Sequence, residues 1–235
     1  MQKILEFDEL NSTNTYVKEH ASTLEDKTVV LANRQTSGRG RFERKWESDA
    51  GGLYFTIVLK PAKTDYLANL TQLMCLAVCE VINQKSGSRR AYIKWPNDVH
   101  AQQQKICGIL SEAVLKDGQF YALALGAGVN VGQKTLASVS QPAVSLKMLG
   151  VNTDNKEILT SILDKFFELY DNVIENGFTV IREQYKNHFP ALGRVITVGA
   201  GEKIEGVAKD VDDAGRLVLQ DFEGKEHKVL TGEIL

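Results

Sequence analysis

Cysteine is scarce in this chain. Three thiols in 235 residues make no disulfide framework, so a reducing cytoplasm is the expected setting. An excess of one charge is missing too. The net charge of −2 gives no global pull toward nucleic acid or an anionic membrane. No apolar stretch approaches the roughly 18 residues that span a bilayer, and the first ten residues lack a basic segment followed by an apolar run, so no signal peptide is expected. The four histidines, His20, His100, His188 and His227, are scattered without HExxH spacing, and no Gly-x-Ser-x-Gly elbow occurs. Histidine-based nucleophilic catalysis and a zinc site are both disfavoured.

What is present is an ordinary globular composition, 43% hydrophobic and 25% charged, long enough for one large domain or one domain plus a small one. Against that neutral background stand residues 35–46, Gln-Thr-Ser-Gly-Arg-Gly-Arg-Phe-Glu-Arg-Lys-Trp. Arg34, Arg39, Arg41, Arg44 and Lys45 face a single anion, Glu43. Gly38 and Gly40 interrupt any helix. Without a partner this segment should be a mobile, exposed, basic loop. Its arginines offer forked donors matched to phosphate or carboxylate, and a small anion is the expected target.

Apolar and β-branched runs place strands at 3–7, 28–32 and 53–59, the last being the strongest in the sequence and stopped by Pro61. Asn11-Ser12-Thr13-Asn14 precedes a helix to about residue 21, and any of these four side chains can cap it. Capping alone and a ligand role remain equal alternatives for Ser12 and Thr13. A helix follows over 66–85, where Cys75 and Cys79 read as core. A short strand stops at Pro96, with Asn97-Asp98 as a turn. Strands at 105–115 and 120–125 come next, the second ending in Gly126-Ala-Gly-Val-Asn130-Val-Gly132. That run fits neither a dinucleotide fingerprint nor a Walker loop; a glycine-rich strand end that lets backbone approach a ligand fits better. Short and long helices are expected over 143–149, 155–176 and 179–186. From residue 192 the texture changes to short strands at 195–198, 203–208, 216–220 and 227–230, the size of a small β-barrel whose default role is support or partner binding.

Lys94, Asn97 and Asp98 gather polar chemistry at one strand end, Gly108 suggests a close approach, and Lys105 alone reads as a snorkelling lysine. Cations and glycines at successive strand ends, with one carboxylate in a polar turn, suit electrostatic stabilisation of phosphate chemistry better than general-base hydrolysis.

In combination and in order, Ser12-Thr13-Asn14, Gly38-Arg39-Gly40-Arg41 with Arg44-Lys45-Trp46, Lys94-Trp-Pro-Asn-Asp98, Lys105-x-x-Gly108-Ile-Leu110 with Glu112, and Gly126-Ala-Gly128 with Asn130 resemble the biotin protein ligase family over nearly the whole chain. The resemblance implies an α+β fold: a mixed β-sheet flanked by helices, related to class II aminoacyl-tRNA synthetases, over residues 1–190, then an SH3-like domain over 191–235. It implies activation of biotin with MgATP to biotinyl-5′-AMP and transfer to a lysine of a biotin carboxyl carrier domain. The first motif begins at Ser12, which leaves no room for an N-terminal helix-turn-helix, so neither DNA binding nor a membrane role is expected; a homodimer is suggested.

Carried over by position, Ser12, Thr13 and Gln35 contact the biotin rings with Asn14 in support, and Gly38, Gly108 and Gly126 belong to the biotin side. Arg39, Gly40 and Arg41 close over the biotin tail and adenylate. Arg44 meets phosphate, and Trp46, Asn97 and Asn130 lie at the nucleotide. Lys105 bridges the biotin carboxylate and α-phosphate. Asn97 and Asp98 help position Mg2+ or the acceptor lysine. Glu43 departs from the pattern, since many relatives have glycine there. A lipoate ligase and a non-catalytic biotin or nucleotide regulator are the alternatives.

Overall fold

The structure, a computed structural model, describes residues 2–88, 90–136 and 141–235. A seven-stranded sheet runs in the order β1 (Ile4–Leu10), β2 (Val29–Gln35), β3 (Leu53–Leu59), β7 (Gln119–Val129), β6 (Gln104–Lys116), β5 (Asp98–Ala101), β4 (Ala91–Lys94). Only β1 and β2 are parallel, joined across α1 (Thr13–His20); every other neighbouring pair is antiparallel.

Two-residue alternation assigns the faces of the sheet. Leu53, Phe55, Ile57 and Leu59 of β3 join the large core built with α2 (Leu67–Ser86) and α3 (Asn155–Asn176). Val58 lies on the opposite side with Val17 of α1 and Ala21 just after it. Along α3 Ile158, Ile162, Phe166 and Val173 are buried and Leu169 partly so, and Asp154 caps the helix by accepting from the Glu157 N–H. Cys75, Cys79 and Cys107 are free and buried, with burial pushing each thiol upward and Cys79 to about 12.

The C-terminal sheet, in the order β11 (Glu226–Val229), β10 (Leu217–Gln220), β9 (Glu202–Val211), β8 (Val195–Ala200), β12 (Glu233–Ile234), is antiparallel throughout. Val198, Val211 and Leu219 join the same core as α2 and α3. Buried Asn69 and Gln72 of α2 donate to the Ala214 and Gly215 carbonyls at the β9–β10 turn.

Several local expectations are corrected. Residues 143–149 are not a helix: Ala143 bridges to Lys105, and the turns from 146 on are closed by Leu149 N–H to the Ser145 and Leu146 carbonyls. The stretch 177–187 splits into a 3-10 turn (Gly177–Val180) and α4 (Arg182–Asn187). Asp98 opens strand β5 rather than ending a turn, because Gln102 and Gln103 take left-handed φ of 51° and 63° and fold β5 back on β6. Strand β7 continues through the glycines to Val129, where full antiparallel pairing with β3 and β6 holds it. The connection at 137–140 that follows lies outside the described residues.

Candidate active site

Strand register brings the distant motifs together. Tyr54, Gly128, Gly108, Asp98 and Lys94 form one row across β3, β7, β6, β5 and β4. Thr56, Gly126 and Leu110 form the next. Directly opposed residues project to the same face, so the glycines cut a trough into it. Asn14 and Trp46 settle there: a Cβ on Gly126 would lie 2.0 Å from Asn14 Oδ1, and one on Gly128 2.5 Å from Trp46 Nε1. The glycines therefore admit protein side chains, as well as bordering the remaining cavity of about 420 Å³.

One end of the cavity is a buried hydrogen-bonding floor. Ser12, Thr13 and Asn14 are each 4% exposed at the start of α1. Ser12 accepts from the Thr15 N–H as the helix cap and also borders the cavity. The Thr13 N–H donates to Gln35 Oε1 at 2.8 Å, and Gln35 Nε2 donates to Ser48 Oγ at 2.9 Å. Asn14 Nδ2 donates to the Leu110 carbonyl and Glu112, while Thr56 Oγ1 lies 2.6 Å from Asn14 Oδ1. Gly38 stands behind the wall, where a Cβ would lie 2.4 Å from Ser48 Oγ.

The other end is cationic. Lys105 is not a surface lysine: its side chain is 19% exposed, its Nζ lies 2.7 Å from Asp98 Oδ2, and it stands 5.3 Å from the Trp46 ring centre. Asn130 borders the same space and donates weakly to the Lys105 carbonyl at 3.4 Å. Arg39, Arg41, Arg44 and Lys94 also border it.

The loop expected to be free and exposed is pinned at both ends of a turn. Gly40 N–H donates to the Arg44 carbonyl at 2.7 Å, closing a 3-10 turn at Arg41–Glu43. Arg41 reaches Asn97 Oδ1 at 2.9 Å, and the Gly232 carbonyl and Thr231 Oγ1 at 3.0 Å each. Arg44 forms a forked pair with Glu233, both contacts 2.8 Å. Burial lowers Arg41 despite the charges of Asp98 and Glu233, though a guanidinium stays protonated. The hydrogen bond from Arg44 holds Glu233 below the usual carboxylate range and raises Arg44 in return. Phe42 and Glu43 both take left-handed φ, 55° and 56°. A glycine at position 43 meets that demand without steric cost, which gives the departure at Glu43 a physical meaning.

Sequence reasoning missed Glu233, because nothing local marks a carboxylate near the chain end as the partner of an arginine 189 residues away. Gln141 and Ala143 also border the cavity without a sequence signal.

The donor set does not make a metal cage. Among the described residues no group of three or more His, Cys, Asp or Glu is placed to hold an ion. Asn97 Oδ1 is taken by Arg41 and Asp98 Oδ2 by Lys105; Asp98 Oδ1 is buried without a partner. One buried oxygen is too little to bind a cation alone.

A mixed sheet with this α1 floor, glycine trough and cationic loop defines a protein-ligase fold of the biotin and lipoate type. The chain belongs to the biotin/lipoate A/B protein ligase family, whose model matches residues 6–130, and the biotin protein ligase C terminal domain model matches residues 191–235. It is similar to the Aquifex aeolicus biotin protein ligase solved in complex with biotin and ATP, at 29% identity and a TM-score of 0.89, covering 100% of this chain and 98% of that one. The bifunctional ligase/repressor BirA of Bacillus subtilis is 31% identical over 95% of this chain and 71% of its own length. The biotin–[acetyl-CoA-carboxylase] ligase of Paracoccus denitrificans is 30% identical over 92% and 93%. No helix among the described residues is long and apolar enough to cross a membrane.

Proposed function

We propose that this protein activates biotin with ATP and transfers the biotinyl group to a lysine of a biotin carboxyl carrier domain. The observation that carries the choice of biotin is the buried polar floor of Ser12, Thr13, Asn14 and Gln35. A ureido ring brings N–H donors and a carbonyl to such a floor. The dithiolane of lipoate brings neither, so it would gain no hydrogen bond from the polar side chains that line this end.

With the ring end on that floor, the acid's tail runs toward Lys105. In the first step a carboxylate oxygen attacks the α-phosphorus, an acyl–phosphate bond forms, and pyrophosphate leaves. Lys105 offsets the charge on the carboxylate and on the α-phosphate as it builds up, and Arg39, Arg41 and Arg44 bind the remaining phosphate oxygens. Asn97 and Asn130 orient the nucleotide, and Trp46 supplies an apolar surface beside Lys105. Mg2+ arriving with ATP would neutralise phosphate charge, and Asp98, whose Oδ1 is buried and without a partner, would have to turn that oxygen outward to help hold it. In the second step the acceptor amine attacks the acyl carbon, AMP leaves, and the nitrogen gives up a proton. The mixed anhydride is prone to hydrolysis, and a loop drawn over it excludes water until the acceptor arrives. The deep pairing of Lys105 with Asp98 supports Lys105 as the charged centre.

Pyrophosphate release with biotin and with lipoate tests the reading. Release with biotin alone, abolished in Lys105→Ala with the fold intact, is expected; release with lipoate but not biotin overturns it.

A further inference from the structure

Glu112 belongs to the sequence pattern yet does not border the cavity. It sits on β6, and three cationic or polar groups, two from α1 and one from the loop, converge on its carboxylate. Lys18 Nζ of α1 lies 2.7 Å from Oε1, and Asn14 Nδ2 donates to Oε2 at 2.9 Å. Arg39 Nη2 of the loop stands 3.7 Å from Oε1, held there by donating to Thr15 Oγ1 at 3.2 Å. Burial alone would raise this carboxyl, but Lys18, Asn14 and Arg39 bring it below the usual range, so it is anionic at neutral pH.

Of these groups, Asn14 and Arg39 border the cavity. Asn14 continues the floor through Thr56, whose hydroxyl lies 2.8 Å from Thr13 Oγ1. Arg39 is the first cation of the loop. We propose that Glu112 is a positioning residue that sets the polar floor and the loop's first arginine together, so that filling the floor and closing the loop are one event. This deepens, and rests on, the proposed use of biotin.

The isosteric Glu112→Gln keeps the shape and removes the charge. The KM for biotin should rise about tenfold, the size of one lost charge-assisted hydrogen bond, with the KM for ATP within about twofold. Trypsin cleavage in the loop, slowed by biotin in the parent, should stay fast in the variant. Lys18→Met removes a neighbour but leaves Asn14 and Arg39 on Glu112, and should keep biotin's KM within about twofold. Calorimetric titration of the parent with biotin separates the two claims. A parent that binds no biotin overturns both. A parent that binds biotin, with Glu112→Gln showing unchanged biotin KM and parent-like protection, overturns the positioning role alone. So does an equal rise in both KM values, which marks a general loss of structure.

Discussion

Gly126→Ala is the sharpest perturbation of the floor. The added Cβ would stand 2.0 Å from Asn14 Oδ1 and 2.9 Å from its Cγ, so the buried carboxamide must retreat by more than an ångström. It then gives up the contact with Thr56 Oγ1 at 2.6 Å and loosens its bonds to the Leu110 carbonyl and Glu112. Losing a neutral bond and weakening a charged one costs about 2–3 kcal/mol, which agrees with the usual penalty for overfilling a close-packed interior, about 1–3 kcal/mol. For a chain of this length that lowers Tm by roughly 4–12 °C. Biotin affinity, measured by calorimetry, should fall at least about tenfold because the floor has moved. Gly199→Ala is the control: its Cβ meets nothing nearer than Leu235 at 3.8 Å, and stability should stay within about 0.5 kcal/mol. A Gly126→Ala protein with parental Tm and parental biotin affinity refutes the reasoning.

Other expectations follow from the loop and its neighbours. Glu233→Gln removes an exposed forked pair and should cost no more than about 1 kcal/mol, while trypsin cleaves after Arg44 faster than in the parent. Because Arg44 depresses the folded pKa of Glu233, that contribution is present above the unfolded carboxyl's pKa and lost as pH falls through the folded one; the variant's Tm should be flatter across that acid window. Glu43→Gly relieves a left-handed φ of 56° and should stabilise the protein by up to about 1 kcal/mol in denaturant unfolding; destabilisation would mean the Arg39–Glu43 contact outweighs the backbone. Burial, aided by the charges of Lys94 and Lys105, lowers His100 from 6.5 to about 4. The unfolded chain therefore binds a proton that the folded one refuses, and stability should fall as pH drops from 6.5 toward 4. His100→Phe should remove that slope from Tm measured against pH.

How much of this was legible depended on whether the signal was local. The β3 run and the α3 stripe announce themselves because one element's burial pattern is written in its own residues. The basic loop is equally plain, since glycine and clustered arginine exclude a packed element. Its restraint was not legible: Thr231, Gly232 and Glu233 belong to a small sheet whose own sequence carries no catalytic pattern, and only folding brings them to Arg41 and Arg44. Strand β5 escaped because the β5–β6 turn uses Gln102 and Gln103, which carry no turn signature. Its local sequence alone made Lys105 look like a surface lysine; in the fold its side chain reaches Asp98 on the neighbouring strand. The glycines of β7 suggested a close approach to a ligand; the groups that lie against them in the fold are Asn14 and Trp46.

The central claim is chemical: this pocket makes biotinyl-AMP and passes the acyl group to a protein lysine. Intact-mass analysis of a biotin carboxyl carrier domain after incubation with the protein, biotin and MgATP tests it most directly. The account predicts a single biotinyl adduct on one lysine, absent without ATP and absent with Lys105→Ala. An unmodified carrier domain, or an adduct formed equally well by Lys105→Ala, contradicts it.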